Sequence, residues 1–312
     1  MSIGAGDISW HLLGDIVRDW AGNDAELVEC KPLAGGYIHI TLRLTLRDGS
    51  LAVLKISPHR VDRGYLDEAH QLELLRKRGL PVPRVYLTQI ASLDRPDSYI
   101  LLEYIPGVDL TEARRQCPAD EFDRLQQELA DWVAQIHECA ADSYQRVVVS
   151  HNEQSYDDWP TFFREVYDPI WHETEKHAHL PVKIRKKIGK IHDRLDRALA
   201  HDDGPRLTHW DLWSNNLLAR PDADDHWHIA AFLDPNSKYA HAEAEIAYLE
   251  LFHTVTPTFM KSYQKHRKLS PEYHRVRKFI YQMYPLIDHV NLFGEEYVPP
   301  LCQTVERLAA SI

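Results

Sequence analysis

A few side chains stand at spacings that suit one kind of chemistry. The stretch LTHWDLWSNNLLAR, residues 207–220, sets Asp211 and, five residues later, Asn216 among apolar neighbours. Asp234 follows in FLDPN, directly after a second apolar run. Phosphoryl transfer asks little covalent work of a protein. It needs a carboxylate to orient the nucleophile, metal ligands to hold the phosphates, and a cation on the phosphate oxygens. Asp211 has a carboxylate that could orient a substrate hydroxyl and accept its proton. Asn216 has a neutral amide oxygen suited to a hard Mg²⁺ ion, and Asp234 has the anionic oxygens that Mg²⁺ prefers.

Taken singly, these are common turn residues. Their order says more: His-x-Asp, an Asn five residues beyond the Asp, then an apolar strand ending in Asp match the protein-kinase catalytic loop and metal-binding segment. In that pattern a third-strand lysine holds the nucleotide phosphates and pairs with a glutamate on the following helix. LAVLK presents Lys55 in that place, flanked by Val53, Leu54 and Ile56, so its ammonium needs an anion. Glu68 in LDEAHQLELL is the natural partner. Gly35 and Gly36 fall between the first two expected strands, where backbone N–H groups could approach phosphates. ILLEYIPG reads as an interlobe hinge at about 103–107, with the backbone of Glu103, Tyr104 and Ile105 placed to pair with adenine. Neither a Walker A sequence nor a full GxGxxG is present, which removes the main support for P-loop and Rossmann alternatives.

The elements that must position these residues can be read from periodicity. LVECKPLAGGYIHITLRLTLRDGSLAVLKIS alternates apolar residues and is punctuated at Gly35-Gly36 and Asp48-Gly49, which predicts three antiparallel strands. GYLDEAHQLELLRKRGL has helical spacing and stops at Gly79 and Pro81. VPRVYLTQI and SYILLEYIPG add two strands, closed by Pro106-Gly107. The result is a β-β-β-α-β-β lobe over 1–105. Helices are expected beyond it, at roughly 120–140, 159–176, 181–200, 240–265 and 271–311, with breaks. Between the third and fourth helices LTHWDLWSNNLLA and HIAAFLDPNS read as two short strands joined by the acidic turn RPDADD. Two adjacent strands would gather Asp211, Asn216 and Asp234. The fold class is α+β, with a small antiparallel N-terminal lobe carrying one helix and a larger, mainly helical lobe over 108–312.

Composition sets bounds on partners. The chain has 312 residues, enough for two lobes, and its 44% hydrophobic and 27% charged residues are those of an ordinary globular protein. A formal net charge of -11 disfavours nucleic acid and anionic membranes. Lys183, Arg185, Lys186, Lys187 and Lys190 cluster, but their spacing fits a solvated helix face. The four cysteines are far apart and form no CxxC pair, so neither a zinc ribbon nor a disulfide scaffold is indicated. No leader and no run of ~20 apolar residues stands out, so a cytoplasmic location is expected.

With these residues assembled, the chain resembles the fructosamine kinase family, within the aminoglycoside-phosphotransferase-like group of protein-kinase-like folds. The resemblance runs from about residue 27 to 308. HWDLWSNNLL looks like the family's HGDLWSGN, which implies Asp211 as catalytic base and Asn216 as metal-binding amide. LDPN places Asp234 at the family's DPA aspartate. DDWPTFFREVYDPIW is similar to D-W-x-x-F-F-x-E, and YPLIDHVNLFGEEY to Y-x-L-x-x-H-x-N-L-F-G-x-x-Y. LAGGYIHITLRL resembles GGGxINxAYRL, and AHAEAEIAYLELF resembles GHREADLAMxELF. Glycine becomes Trp210 and Asn215, alanine becomes Asn236, the loop asparagine becomes His39, and the GHRE arginine is absent at Ala242. Tyr37 stands where many members have a cysteine, so redox control there is not expected. Several of these departures surround the place where the acceptor should lie.

The resemblance implies an ATP- and Mg²⁺-dependent two-lobed phosphotransferase acting on a hydroxyl of a small sugar-type or amine-bearing acceptor, a fructosamine or ketosamine first of all. Trp213 would stack on the sugar ring, and His289 and Asn291 would close the acceptor pocket. The alternatives are an aminoglycoside, amino-sugar or choline-like kinase, and a catalytically inactive nucleotide-binding module. The oligomeric expectation is a monomer or homodimer.

Overall fold

The computed structural model describes residues 8–33, 40–149, 154–177, 180–201 and 203–311. Gly35 and Gly36, with Tyr37 and His39, lie outside the described residues. Helix α1 (Trp10–Ala21) precedes strands β1 (Leu27–Pro32), β2 (Ile40–Leu46) and β3 (Leu51–Ser57). Helix α2 (Gly64–Lys77) leads to β4 (Val85–Gln89), β5 (Ser98–Glu103), β6 (Val108–Asp109) and α3 (Leu110–Gln116). Next come α4 (Ala119–Glu138), β7 (Gln145–Arg146), α5 (Trp159–His177), α6 (Val182–His192) and α7 (Leu195–Leu199). Four short strands follow: β8 (Arg206–Thr208), β9 (Leu217–Pro221), β10 (Trp227–Phe232) and β11 (Lys238–Ala240). Helices α8 (Ala242–Leu251), α9 (Pro257–His266), α10 (Lys278–Phe293) and α11 (Val298–Ala309) complete the chain.

The chain divides into two compact units. The first comprises the described residues of Met1–Arg115 and Val147–His151, with Asn215–Asn236; the second comprises the described residues of Gln116–Arg146, Asn152–Ser214 and Ser237–Ile312. In the first, an antiparallel sheet in the order β1-β2-β3-β5-β4 carries the expected β-β-β-α-β-β succession. Alternation along the strands buries Leu42, Leu44 and Leu46 of β2 and Ala52, Leu54 and Ile56 of β3. Leu13, Ile16 and Val17 of α1 join the same core. Helix α1 was not expected from the sequence, although its apolar residues recur at helical spacing and its ends are marked. The Ser9 hydroxyl accepts the Leu12 N–H at 3.1 Å, and Gly22 takes the left-handed turn after the helix.

A second sheet of the first unit runs β10-β9-β6. Gly107 enters it so closely that a Cβ there would stand 3.0 Å from the Ala219 carbonyl oxygen, so only glycine fits without displacement.

The second unit is mainly helical, with a small sheet β7-β11-β8. Its expected long helices are interrupted where the chain changes direction: at Asp193 and Arg194 between α6 and α7, before Thr256-Pro257, and at Gly294 with φ 87°. The stretch read as one strand, LTHWDLWSNNLLA, is two strands in two different sheets. The residues between them turn, with a 3₁₀ segment at Ser214–Asn216. Asp211, Ser214 and Asn215 need solvent or partners, and a continuous buried strand would deny them both.

Candidate active site

The first unit holds a cationic centre. Lys55 lies on β3 between Leu54 and Ile56, both fully buried. Its Nζ donates to Glu68 Oε1 on α2 at 2.6 Å and to Asp234 Oδ1 at 2.5 Å, joining positions 179 residues apart. Burial works against this ammonium, but the two carboxylates outweigh it and hold its pKa above the ordinary lysine value. Burial raises the pKa of Glu68, and Lys55 pulls it back.

Asp234 reaches Lys55 because of the β9–β10 hairpin. Leu217 pairs with Phe232 at the open end of the ladder, and the next pair outward, Asn216 and Leu233, is joined by a Leu233 N–H to Asn216 carbonyl bond of 2.9 Å. The hairpin is fastened to the unit by a Phe232 N–H to Pro81 carbonyl bond of 2.8 Å. Asn216 and Asp234 therefore leave the same end of one hairpin, and Asp234 does so with φ 54°, in the left-handed region that Asp tolerates better than most residues. Nearby, the Gln71 amide donates to the Val147 carbonyl at 2.7 Å and Asp67 accepts the Val149 N–H at 2.8 Å, so 147–149 is clipped to α2.

Glu103 ends β5, exchanging backbone and side-chain hydrogen bonds with Arg84: its N–H donates to the Arg84 carbonyl at 2.8 Å and its carboxylate accepts the Arg84 N–H at 3.1 Å. Arg43 stands over the Tyr104 ring at 5.9 Å. Tyr104 and Ile105 follow the strand outside the ladder.

The second unit holds Asp211. It follows β8, and its Oδ1 accepts the Tyr248 O–H from α8 at 2.8 Å. Burial, then the neighbouring Asp211 carboxylate, pushes the Tyr248 phenol well above its usual pKa, so it remains a donor. The preceding residue, Trp210, has φ 71°, and its N–H donates to Glu245 Oε1 at 2.6 Å. Glu245 is buried on α8 with its other oxygen 2.9 Å from His137 Nε2, and His137 Nδ1 meets the Tyr263 hydroxyl at 2.7 Å. Burial works against the Glu245 carboxylate, but the His137 contact and the Trp210 N–H hold its pKa low. Asp211 is thus backed by two α8 side chains three residues apart, which share one helix face.

Other expected residues of this unit differ in how far their polar atoms are committed. Trp213 is half-buried. His289 Nδ1 lies 2.8 Å from the Pro285 carbonyl, and its ring packs with Phe252, Phe293 and Tyr297. Asn291 accepts from the Thr174 hydroxyl at 2.8 Å and donates to the Ile170 carbonyl at 3.2 Å, so its amide ties α10 to α5.

Residue-level reading missed Tyr248, Glu245 and Asp288. Burial raises the Asp288 carboxyl above its usual range, and the charge of Asp211 adds to the rise. The i, i+3 spacing of Glu245 and Tyr248 in AEAEIAYLELF was the available signal for the first two.

The family model described as fructosamine kinase matches residues 9–311. The chain belongs to the fructosamine kinase family. It is accordingly an ATP-dependent phosphotransferase. Among relatives of this fructosamine kinase family member, the probable ketoamine kinase of Enterococcus faecium is 29% identical over 286 residues, covering 88% of this chain and 94% of that protein. The probable ketoamine kinase YniA of Escherichia coli is 25% identical, covering 97% and 100%. Among solved structures, a fructosamine-3-kinase candidate from Thermobifida fusca superposes with a TM-score of 0.76 at 21% identity, covering 97% of this chain and all of that one. The two-lobed kinase-like α+β fold follows from such likenesses.

Among the described residues, no group of three or more His, Cys, Asp and Glu could hold a metal ion. That does not disqualify Asn216 and Asp234. Mg²⁺ is commonly held by one or two protein oxygens, with waters and substrate phosphates completing an octahedron. One carboxylate and one amide leaving the same hairpin end suit that chemistry.

Proposed function

We propose that this enzyme transfers the γ-phosphoryl group of ATP to a hydroxyl of a ketosamine, a sugar carrying an amine substituent. The hold of Lys55 by both Glu68 and Asp234 is the observation that carries the reading, because it joins a phosphate-binding cation to a metal-binding carboxylate. Family membership and the ketoamine kinase names of the relatives support the acceptor class.

In this reading residues 1–105 form the nucleotide-binding lobe and 108–312 the catalytic and acceptor-binding lobe. Lys55, oriented by Glu68, neutralises phosphate oxygens, and Gly35 and Gly36 supply backbone donors. The backbone of Glu103, Tyr104 and Ile105 pairs with adenine. Asn216 and Asp234 hold Mg²⁺, which when bound supplies positive charge to the phosphates. Asp211, oriented by the Tyr248 hydroxyl, receives the proton of the acceptor hydroxyl as its oxygen bonds to phosphorus and the bond to the ADP oxygen breaks. Trp213 and His289 are placed on the acceptor side. Asn291, also assigned there by the sequence, keeps its amide on α5.

Phosphorylation assays across ketosamines, free sugars and aminoglycosides test the acceptor. Ketosamine turnover that exceeds the other classes in kcat/KM is expected, and preference for an aminoglycoside or free sugar would overturn it. Asp211→Ala should lower kcat by about 10²- to 10⁴-fold, with ATP binding intact. Undiminished turnover would remove Asp211 from its role.

A further inference from the structure

Trp210 combines three observations that the reaction just described does not use. It is a bulky residue at φ 71°, where only small or flexible residues are at ease, and it stands where the family pattern has glycine. The strain is held by the surroundings, as such outliers require. Its N–H is fixed by Glu245 at 2.6 Å, and its indole meets Trp159 edge-on at a centroid distance of 6.3 Å and Tyr167 at 6.4 Å. Lys238, itself only 3% exposed, places its ammonium 4.8 Å from the indole centroid. An aromatic face is a good seat for a desolvated ammonium.

Trp210 immediately precedes Asp211 and remains half-buried, and the Lys238 nitrogen over its ring lies within electrostatic reach of that carboxylate. Tyr167, which touches that ring, lies within electrostatic reach of Asp288, and Asp288 within reach of Asp211. The indole thus belongs to the same surroundings as the proposed base, and it adds bulk there that a glycine would not.

We propose that Trp210, seated on Lys238 and Glu245, is a specificity-determining wall that restricts the enzyme to ketosamines with small amine substituents. Lys238 is the positioning residue of the pair: it does not face the acceptor but holds the ring that does. Burial, and then the charge of Arg146, lower the Lys238 pKa well below the ordinary lysine value, while Asp211 and Glu245 oppose that shift.

This inference rests on the ketosamine reading, and one set of assays separates the two. The probes are fructosamines whose amine carries a methyl, a butyl or a benzyl group, and the readout is the ratio of kcat/KM for the benzyl to the methyl compound. The wild type should show a ratio of about 0.1 or less, within the range a steric pocket discriminates. W210G should raise the ratio roughly tenfold, mainly through KM. K238M, which keeps the aliphatic stem but removes the ammonium, should raise it about threefold by releasing the ring, and W210F should keep most of the selectivity. A wild-type ratio near one, or a ratio that neither W210G nor K238M moves, overturns the wall. Should W210G not fold, K238M decides by the same ratio. Absence of turnover with even the methyl compound overturns the ketosamine reading and this inference with it, whereas size-blind turnover overturns the inference alone.

Discussion

Asp211 and Lys55 are held by different kinds of neighbour. Asp211 is oriented by a phenol that gives it a hydrogen bond without a charge. Tyr248→Phe removes that donor, and a hydrogen bond to a charged group is worth about 1.5–3 kcal/mol. We expect a fall in kcat of about tenfold or more with an unchanged ATP dissociation constant, measured by steady-state kinetics and nucleotide titration. Equal kcat in the variant would mean that the phenol only packs. Lys55, itself buried, instead sits between two carboxylates. Lys55→Met leaves Glu68 without its cation, and breaking a buried pair costs roughly 3–5 kcal/mol. The double variant with Glu68→Gln should recover a large part of that loss in urea unfolding. If it recovers none, the pair contributes little to stability.

At the scale of elements, what could be read in advance depended on whether a pattern was local. The strands of the first sheet and helix α2 declare themselves through alternation and through Asp48-Gly49 and Gly79, and the kinase-like order of Lys55, Glu68, Asp211, Asn216 and Asp234 is a matter of spacing. The Lys55–Asp234 contact and the Tyr248–Asp211 bond are legible only as chemistry that demands partners, since no local pattern selects residues so far apart. The division of LTHWDLWSNNLLA between two sheets was hidden because its apolar residues mimic one strand. Asn291 shows the reverse limit: a polar residue in a motif segment whose amide serves packing between α10 and α5. Asn291→Ala should lower stability by about 1 kcal/mol and leave the acceptor KM where it was. A raised KM with unchanged melting would return Asn291 to the acceptor side.

The whole molecule should lose stability in mild acid, and one buried imidazole makes a definite contribution. His241 is fully buried, 3.1 Å from the Tyr144 hydroxyl and stacked on Trp159 at 4.7 Å. Burial, with the charges of His201, Arg277 and Arg267, pushes its pKa down from 6.5 to about 2. The unfolded chain therefore binds a proton between pH 6.5 and 2 that the folded chain refuses. The contribution is complete above pH 6.5 and is lost progressively as pH falls through that window. From pH 7 to pH 5 the loss amounts to about 2 kcal/mol. His241→Gln keeps hydrogen-bonding capacity without the titration, so its denaturation midpoint should change less between these two pH values than that of the wild type. Parallel pH curves would exclude His241 as the source.

The assignment of Asn215–Asn236 to the first unit bears on the order in which the molecule is made. The ribosome delivers the first unit's opening segment up to Arg115, but the hairpin that completes its second sheet emerges only after roughly 120 further residues, a wait of about 6–24 s at ordinary elongation rates. During that interval β6 lacks its β9 neighbour and Lys55 lacks Asp234. Fragments ending near residue 115 should be less protected from proteolysis than the same residues in the complete chain, and a chain split there should regain its fold only when the later piece is supplied.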